Sequence, residues 1–260
     1  VYVAPHPVVE REQDVREALG RRPVVRAPLE VVGMRSLIGV FGDQNPAKLI
    51  DLVLAAAARL PEDVHVALVG RRIHGYDVAP VVRASGIGAR VHVRQDVSDA
   101  DFLAWIGASD VAVDLRYPHR GEVSGSLARS MQLGRATVVS ATGTYLDLPE
   151  TLVARVPAGR PEPAEIAEVI HGLLEDDERR ARIGDAAREH TDELARTEAT
   201  ARAYAKAIDG TLALLRDPTR RVLARWGGAL VDLGVTEETL AEGYGASYAR
   251  ALDDVVAPGA

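Results

Sequence analysis

DVAVDLRYPHRGEVSGSLARSMQLGRATVVSA, residues 110–141, holds a complete strand–loop–helix–strand unit. DVAVDLR (110–116) and ATVVSA (136–141) are short and continuously apolar, as in strands buried on both faces of a sheet. Between them, SGSLARSMQLG (124–134) sets Leu127 and Met131 at helical spacing with Arg129 on the opposite face, and Gly134 closes the helix. The connecting loop is unusual. It carries Arg116, Arg120 and Glu122 beside a run of small residues, where a plain turn needs only a glycine or a proline.

The same alternation extends outward. RSLIGVFG (35–42), VHVALVG (64–70), ARVHVRQ (89–95) and TLVARVP (151–157) read as further strands. NPAKLIDLVLAAAARL (45–60), YDVAPVVRASG (76–86) and SDADFLAWIGAS (98–109) read as the helices between them. Asn45 is a plausible N-cap, with Pro46 at the first helical position where its missing N–H costs nothing. Six apolar strands alternating with helices predict an α/β fold: a doubly wound, parallel, six-stranded Rossmann-like sheet. Residues 161–216 read as helical throughout, and Asp217-Pro218 interrupts them before two more helices expected at 219–233 and 236–255. The domain expectation is a linker over 1–33, a Rossmann-like domain over 34–192 and a helical C-terminal extension over 193–260.

Bulk properties exclude several classes. The net charge of −7 leaves no basic surplus for nucleic acid. With no cysteine there is neither a disulfide nor a thiolate metal site, which suits a reducing compartment and predicts a cytoplasmic protein. No apolar run is long enough for a membrane span, and no histidine or carboxylate cluster has metal-ligand spacing. No signal peptide is visible, and VYVAPHPVV (1–9) reads as an extended segment continuing from something upstream, so the chain is expected to be a fragment.

In the usual strand order 3-2-1-4-5-6, ligands bind at the carboxyl ends of the neighbouring first and fourth strands. The loops meeting there are FGDQNPAK (41–48) and RYPHRGEVSGS (116–126). Ser124, Gly125 and Ser126 at a helix start offer backbone N–H groups and the positive end of the helix dipole. Lys48, Arg116 and Arg120 supply full charge, and together these groups describe a cradle for a diphosphate. Glu122 would repel phosphate and suits the hydroxyls of a sugar. Each residue also has an ordinary structural alternative: Lys48 a solvent-facing helix lysine, Arg129 a surface arginine, Ser124 a simple N-cap. No GxGxxG follows the first strand, so a dinucleotide fingerprint is absent.

FG…NPAK, VALVG, ASDVAVDLRYP, GEVSGSLARSMQLGRATVVS and LDLPETLV, in this order, resemble the donor-binding, C-terminal half of retaining GT-B glycosyltransferases of family four, over about residues 1–215. PHPV (5–8) resembles the interdomain linker before that half. The resemblance implies one half of a GT-B fold that binds a UDP- or GDP-sugar, with no other cofactor and no metal. It further implies a saccharide or lipid-linked acceptor held by a missing N-terminal domain. By position it makes Lys48 and Glu122 the catalytic candidates, for the departing diphosphate and the donor sugar, with Gly42, Asn45, Arg116, Ser124, Gly125, Ser126 and Arg129 around the nucleotide. The sequence departs from the family pattern at three places. Arg129 stands where the second of two glutamates is usual, Glu122 is one position off the first, and Asp43 replaces an arginine after Gly42.

Three functions are therefore expected in order: transfer of a hexose from a nucleotide-sugar, a degenerate and non-catalytic interaction module, and a GT-B-type sugar-nucleotide epimerase.

Overall fold

The computed structural model describes residues 10–121, 123–196, 199–216 and 225. Backbone contacts divide the chain into two compact units, one of residues 6–197 and one of residues 1–5 with 198–260. In the second unit the described structure is essentially one helix, Ala199–Arg216; the helices expected at 219–233 and 236–255 lie outside the described residues.

The first unit holds a six-stranded sheet of β1 (Ser36–Phe41), β2 (Val64–Gly70), β3 (Val91–Gln95), β4 (Val111–Asp114), β5 (Ala136–Ser140) and β6 (Ala154–Val156). All pairings are parallel, in the order β3-β2-β1-β4-β5-β6. The doubly wound sheet is as expected. Register between the central strands sets Ile38 beside Val111 and Val40 beside Val113.

The strands are apolar throughout because they feed two cores. In β1, Leu37 and Phe41 join Ala67, Leu103 and Ile106 on one face, while Ile38 and Val40 join Val53, Ile166 and Ile170 on the other. Each such side chain buried contributes roughly 1.5–3 kcal/mol, so neither face of the sheet can be left open to water.

The helices of this unit are α1 (Glu12–Gly20), α2 (Arg22–Glu30), α3 (Ile50–Ala57), α4 (Ala79–Ala84), α5 (Asp99–Ala108), α6 (Gly125–Gln132), α7 (Pro163–Glu175) and α8 (Asp177–Arg196). Residues expected to form a linker thus include two helices: α1 and α2 pack on α5, burying Val15, Ala18 and Leu29 against Leu103 and Ile106. Helix α4 is shorter than 76–86 because Pro80 falls in its first turn, where no intrahelical donor is lost. The expected helix 45–60 is broken at its start. Pro46–Lys48 forms a single 3-10 turn, Leu49 takes a left-handed conformation at φ 51, and the α-helix begins only at Ile50. A left-handed leucine costs roughly 1 kcal/mol, offset here by complete burial of its side chain.

Candidate functional site: a cavity at the carboxyl ends of β1 and β4

The break at Leu49 decides where Lys48 goes. Instead of standing on the first turn of a solvent-facing helix, Lys48 is 2% exposed and points across the sheet end. Its Nζ donates to Asp114 Oδ1 at 2.9 Å and lies 3.5 Å from Ser126 Oγ. Asn45 does not cap the turn; its Nδ2 donates to the Asp43 carbonyl, and its buried Oδ1 has no partner among the described residues.

Asp114, the last residue of β4, is the hub. Besides Lys48 it accepts from the Ser124 hydroxyl and from Tyr145 Oη at 3.0 Å. Arg116 approaches to 3.9 Å and donates through Nε to Tyr145 Oη. Burial pushes the Asp114 carboxyl up, but Lys48, Arg116 and the Ser124 hydroxyl outweigh it and hold the group below its ordinary value, so it stays ionised. Burial, with the nearby Arg116, lowers the Lys48 ammonium below its ordinary value despite the opposing support of Asp114. Burial and the neighbouring Asp114 raise the Tyr145 phenol, keeping it a donor.

Ser124 is the N-cap of α6, accepting from Leu127 N–H at 3.2 Å while its hydroxyl serves Asp114. One serine side chain thereby ties the helix start to the ion pair. The N–H groups of Gly125 and Ser126 make no hydrogen bond among the described residues, and the amino end of α6 favours an anion beside them. Gly42 follows β1 at φ 96, a backbone conformation that favours glycine; a Cβ there would make ordinary contact, 3.4 Å from Lys48 Cε and from Ser126 Oγ. Gly70 closes the floor: a Cβ on it would meet the Gly42 carbonyl oxygen at 1.8 Å.

Lys48, Arg116, Gly42, Gly70, Gly125 and Ser126 line one cavity of about 480 Å³, with Asp114, Ser124 and Tyr145 behind them. Of the residues predicted from sequence, Gly42, Asn45, Lys48, Arg116, Gly125, Ser126 and Arg129 all line it. Ser124 lies one layer beneath, through Asp114. Arg120 is exposed and does not line the cavity. Glu122 lies outside the described residues. Arg129 is no idle surface arginine: its Nε donates to Glu10 Oε1 at 2.6 Å. Glu10, Asp114 and Tyr145 were missed by the sequence reading. Asp114 carried a readable signal, a charged residue ending an otherwise apolar strand; Glu10 and Tyr145 carried none. Among the described residues, no group of three or more histidines and carboxylates is arranged to hold a metal.

Chemically, the arrangement of Lys48, Arg116, Ser126 and the Gly125 and Ser126 amides is an anion cradle of a buried ammonium, a guanidinium, a hydroxyl and two amides at the positive end of a helix. Residues 22–190 match the family of glycosyl transferases group 1, and the chain belongs to that family. The solved structures it resembles include sucrose-phosphate synthase from Thermosynechococcus elongatus, at 21% identity and TM-score 0.62 over 75% of this chain and 49% of that one. HepE of Anabaena, crystallised in complex with UDP, is 19% identical with TM-score 0.63 over 77% of this chain and 55% of that one. A C-terminal domain of a glycosyl transferase group 1 protein from Francisella tularensis is 14% identical with TM-score 0.52, covering 71% of this chain and 92% of that domain. The chain thus spans about half the length of the first two and most of the third. The architecture is that of GT-B glycosyltransferases. No curated protein sequence matches the chain. None of the described helices is long and apolar enough to cross a membrane.

Proposed function

We propose that this chain is the nucleotide-sugar-binding half of a retaining GT-B glycosyltransferase of family four, moving a hexose from a UDP- or GDP-sugar to a saccharide or lipid-linked acceptor in the cytoplasm. The acceptor is held by a second, N-terminal domain. The carrying observation is the convergence of Lys48, Arg116, Ser126 and the amino end of α6 on one cavity at the topological switch point. The UDP held by the Anabaena relative agrees with this reading.

In the reaction the bond between the sugar's anomeric carbon and the diphosphate oxygen breaks, the electron pair leaves with the diphosphate, and the acceptor hydroxyl oxygen forms the new bond while its proton passes to the departing diphosphate. Negative charge grows on the diphosphate, and Lys48, Arg116 and the Gly125 and Ser126 amides are placed to stabilise it. With those groups in that role the transfer needs no metal and no cofactor beyond the donor. Glu122 contacts the donor sugar.

Titration calorimetry of the chain with UDP, GDP and ADP tests the proposal. One nucleotide binds saturably, and Lys48→Met weakens it at least tenfold, the effect of removing a charged hydrogen-bond donor. Failure of all three to bind would sink it in favour of the non-catalytic module. That second reading has its own support: the cavity's charges are matched internally, Lys48 by Asp114, Arg129 by Glu10, and Arg71 by Asp43 at 2.8 Å.

A further inference from the structure

Lys48 and Arg116 both face the carboxylate of Asp114, but at different distances. Lys48 Nζ donates to Asp114 Oδ1 at 2.9 Å, whereas Arg116 Nη2 stands 3.9 Å from the same oxygen, beyond hydrogen-bond reach. The phenol of Tyr145 bridges the wider gap. Its Oη accepts from Arg116 Nε at 3.4 Å and donates to Asp114 Oδ2 at 3.0 Å. Chemistry fixes the direction of both bonds. A guanidinium only donates and an ionised carboxylate only accepts, so the single phenolic proton goes to Asp114.

The phenol is held in place without help from Arg116. Tyr145 is 2% exposed and belongs to the core cluster of Leu127, Met131, Val139 and Leu152. Its ring also meets His119 edge to face, with centroids 5.4 Å apart. The backbone of Arg116 is pinned as well, its N–H donating to Ser140 Oγ at 3.0 Å. What remains to be set is the direction of the arginine side chain.

A buried carboxylate attracts a guanidinium at this separation strongly. Without the hydroxyl the two would close into a direct pair. The guanidinium would then be drawn back from the cavity wall, which it lines, and would compete with Lys48 for one carboxylate. The hydroxyl acts as a spacer that hydrogen-bonds both groups and keeps them apart.

We propose that Tyr145 is a positioning residue that holds the Arg116 guanidinium off Asp114 and toward the diphosphate of the bound nucleotide. The proposal rests on the nucleotide-sugar reading above, in which Arg116 stabilises that diphosphate.

The test is a double-mutant cycle read by calorimetry with UDP, GDP and ADP, placing Tyr145→Phe in the wild type, in Arg116→Met and in Lys48→Met. Phenylalanine keeps the buried ring, and a single cooperative urea transition for each protein verifies that it is folded. Tyr145→Phe weakens nucleotide binding about fivefold in the wild type and in Lys48→Met but less than about 1.5-fold in Arg116→Met, the coupling expected of residues in contact. A purely packing role lowers affinity equally in all three backgrounds and overturns the assignment. A loss that vanishes in Lys48→Met instead of Arg116→Met, or no loss in any background, overturns it too. Each of these results leaves the nucleotide site standing. Absence of binding of every diphosphate to the wild type overturns the nucleotide reading and this assignment with it.

Discussion

Strand β4 has an aspartate at each end, and the two have opposite fates. Asp110, just before the strand, accepts from Arg22 at 2.5 Å, from Arg26 at 2.8 Å and from the Leu37 N–H at 2.8 Å. The same arginines donate to the carbonyls of Gly107, Ala108, Ser109 and Arg35, satisfying the carboxyl end of α5 and riveting α2 to the sheet. Asp114, four residues on, is more deeply enclosed, its side chain 5% exposed against 13% for Asp110, yet its partners Lys48 and Arg116 border a cavity of about 480 Å³. At Asp110 the donors end on protein atoms. At Asp114 they lead to space a ligand can fill. Burial of ions is therefore not in itself a mark of function; what separates the two clusters is whether the cations have somewhere else to bind.

The comparison breaks first at Asp110. Asp110→Ala strands Arg22 and Arg26 beside one another and is expected to cost about 3–5 kcal/mol, read by urea unfolding. Nucleotide affinity, measured where the variant is folded, stays within about twofold of wild type because no cavity group has moved. Burial raises the Asp110 carboxyl, but Arg26, the Leu37 N–H and Arg22 together hold it below its ordinary value. Its stabilisation is thus complete above the unfolded value of about 4 and disappears as pH falls through the lower folded value. Loss of nucleotide binding at full folding in Asp110→Ala would erase the distinction between the two ends.

Asp114→Asn sharpens the comparison from the other side. It leaves Lys48 buried beside Arg116, with Asp43 as the remaining acidic neighbour and Tyr145 neutral. The ammonium, already lowered by burial, loses its main support, so it sheds its proton at lower pH than in the wild type. Nucleotide affinity of the variant then begins to fall at lower pH than that of the wild type. Parallel pH profiles for the two proteins would show that Asp114 only packs the site.

The smallest effect is expected far from both ends. His65 on β2 and His92 on β3 face each other at 3.0 Å between Nδ1 and Nε2, a contact that needs one ring to donate and the other to accept. Burial, His65 and Arg94 lower His92 to about 4. The folded protein therefore loses stability as pH falls from about 6.5 towards 4, by on the order of 1–2 kcal/mol after discounting for partial exposure. His92→Gln removes that slope; thermal unfolding between these pH values reads it, and an unchanged slope would assign it to other groups.

Much of the fold was legible because its signals are local. Continuous apolar runs and Gly134 after a helix each act within a few residues, and the alternation of strands and helices leaves few arrangements other than the doubly wound sheet seen here. The switch-point rule then brought the loops 41–48 and 116–126 together from topology alone, and seven of the predicted residues line the cavity they form. The helices α1 and α2 were not legible. Their arginines and prolines resemble a linker, and only contact with α5 and Asp110 gives those charges a purpose.

By itself the sequence determined the strand order, the two-faced core and the loops that meet at the crevice, since hydrophobic period and chain connectivity are written along the chain. It also placed Ser124 at a helix start, and that capping bond forms. The tertiary structure alone decided the state of each charge. Along the chain Lys48 fits both a cradle cation and a solvated helix lysine until the left-handed turn at Leu49 carries it to Asp114, 66 residues away, and Arg129 fits both a site residue and a surface arginine until Glu10 arrives from 119 residues upstream. Solvation and ion pairing depend on distances through space, and a linear chain does not carry them until it has folded.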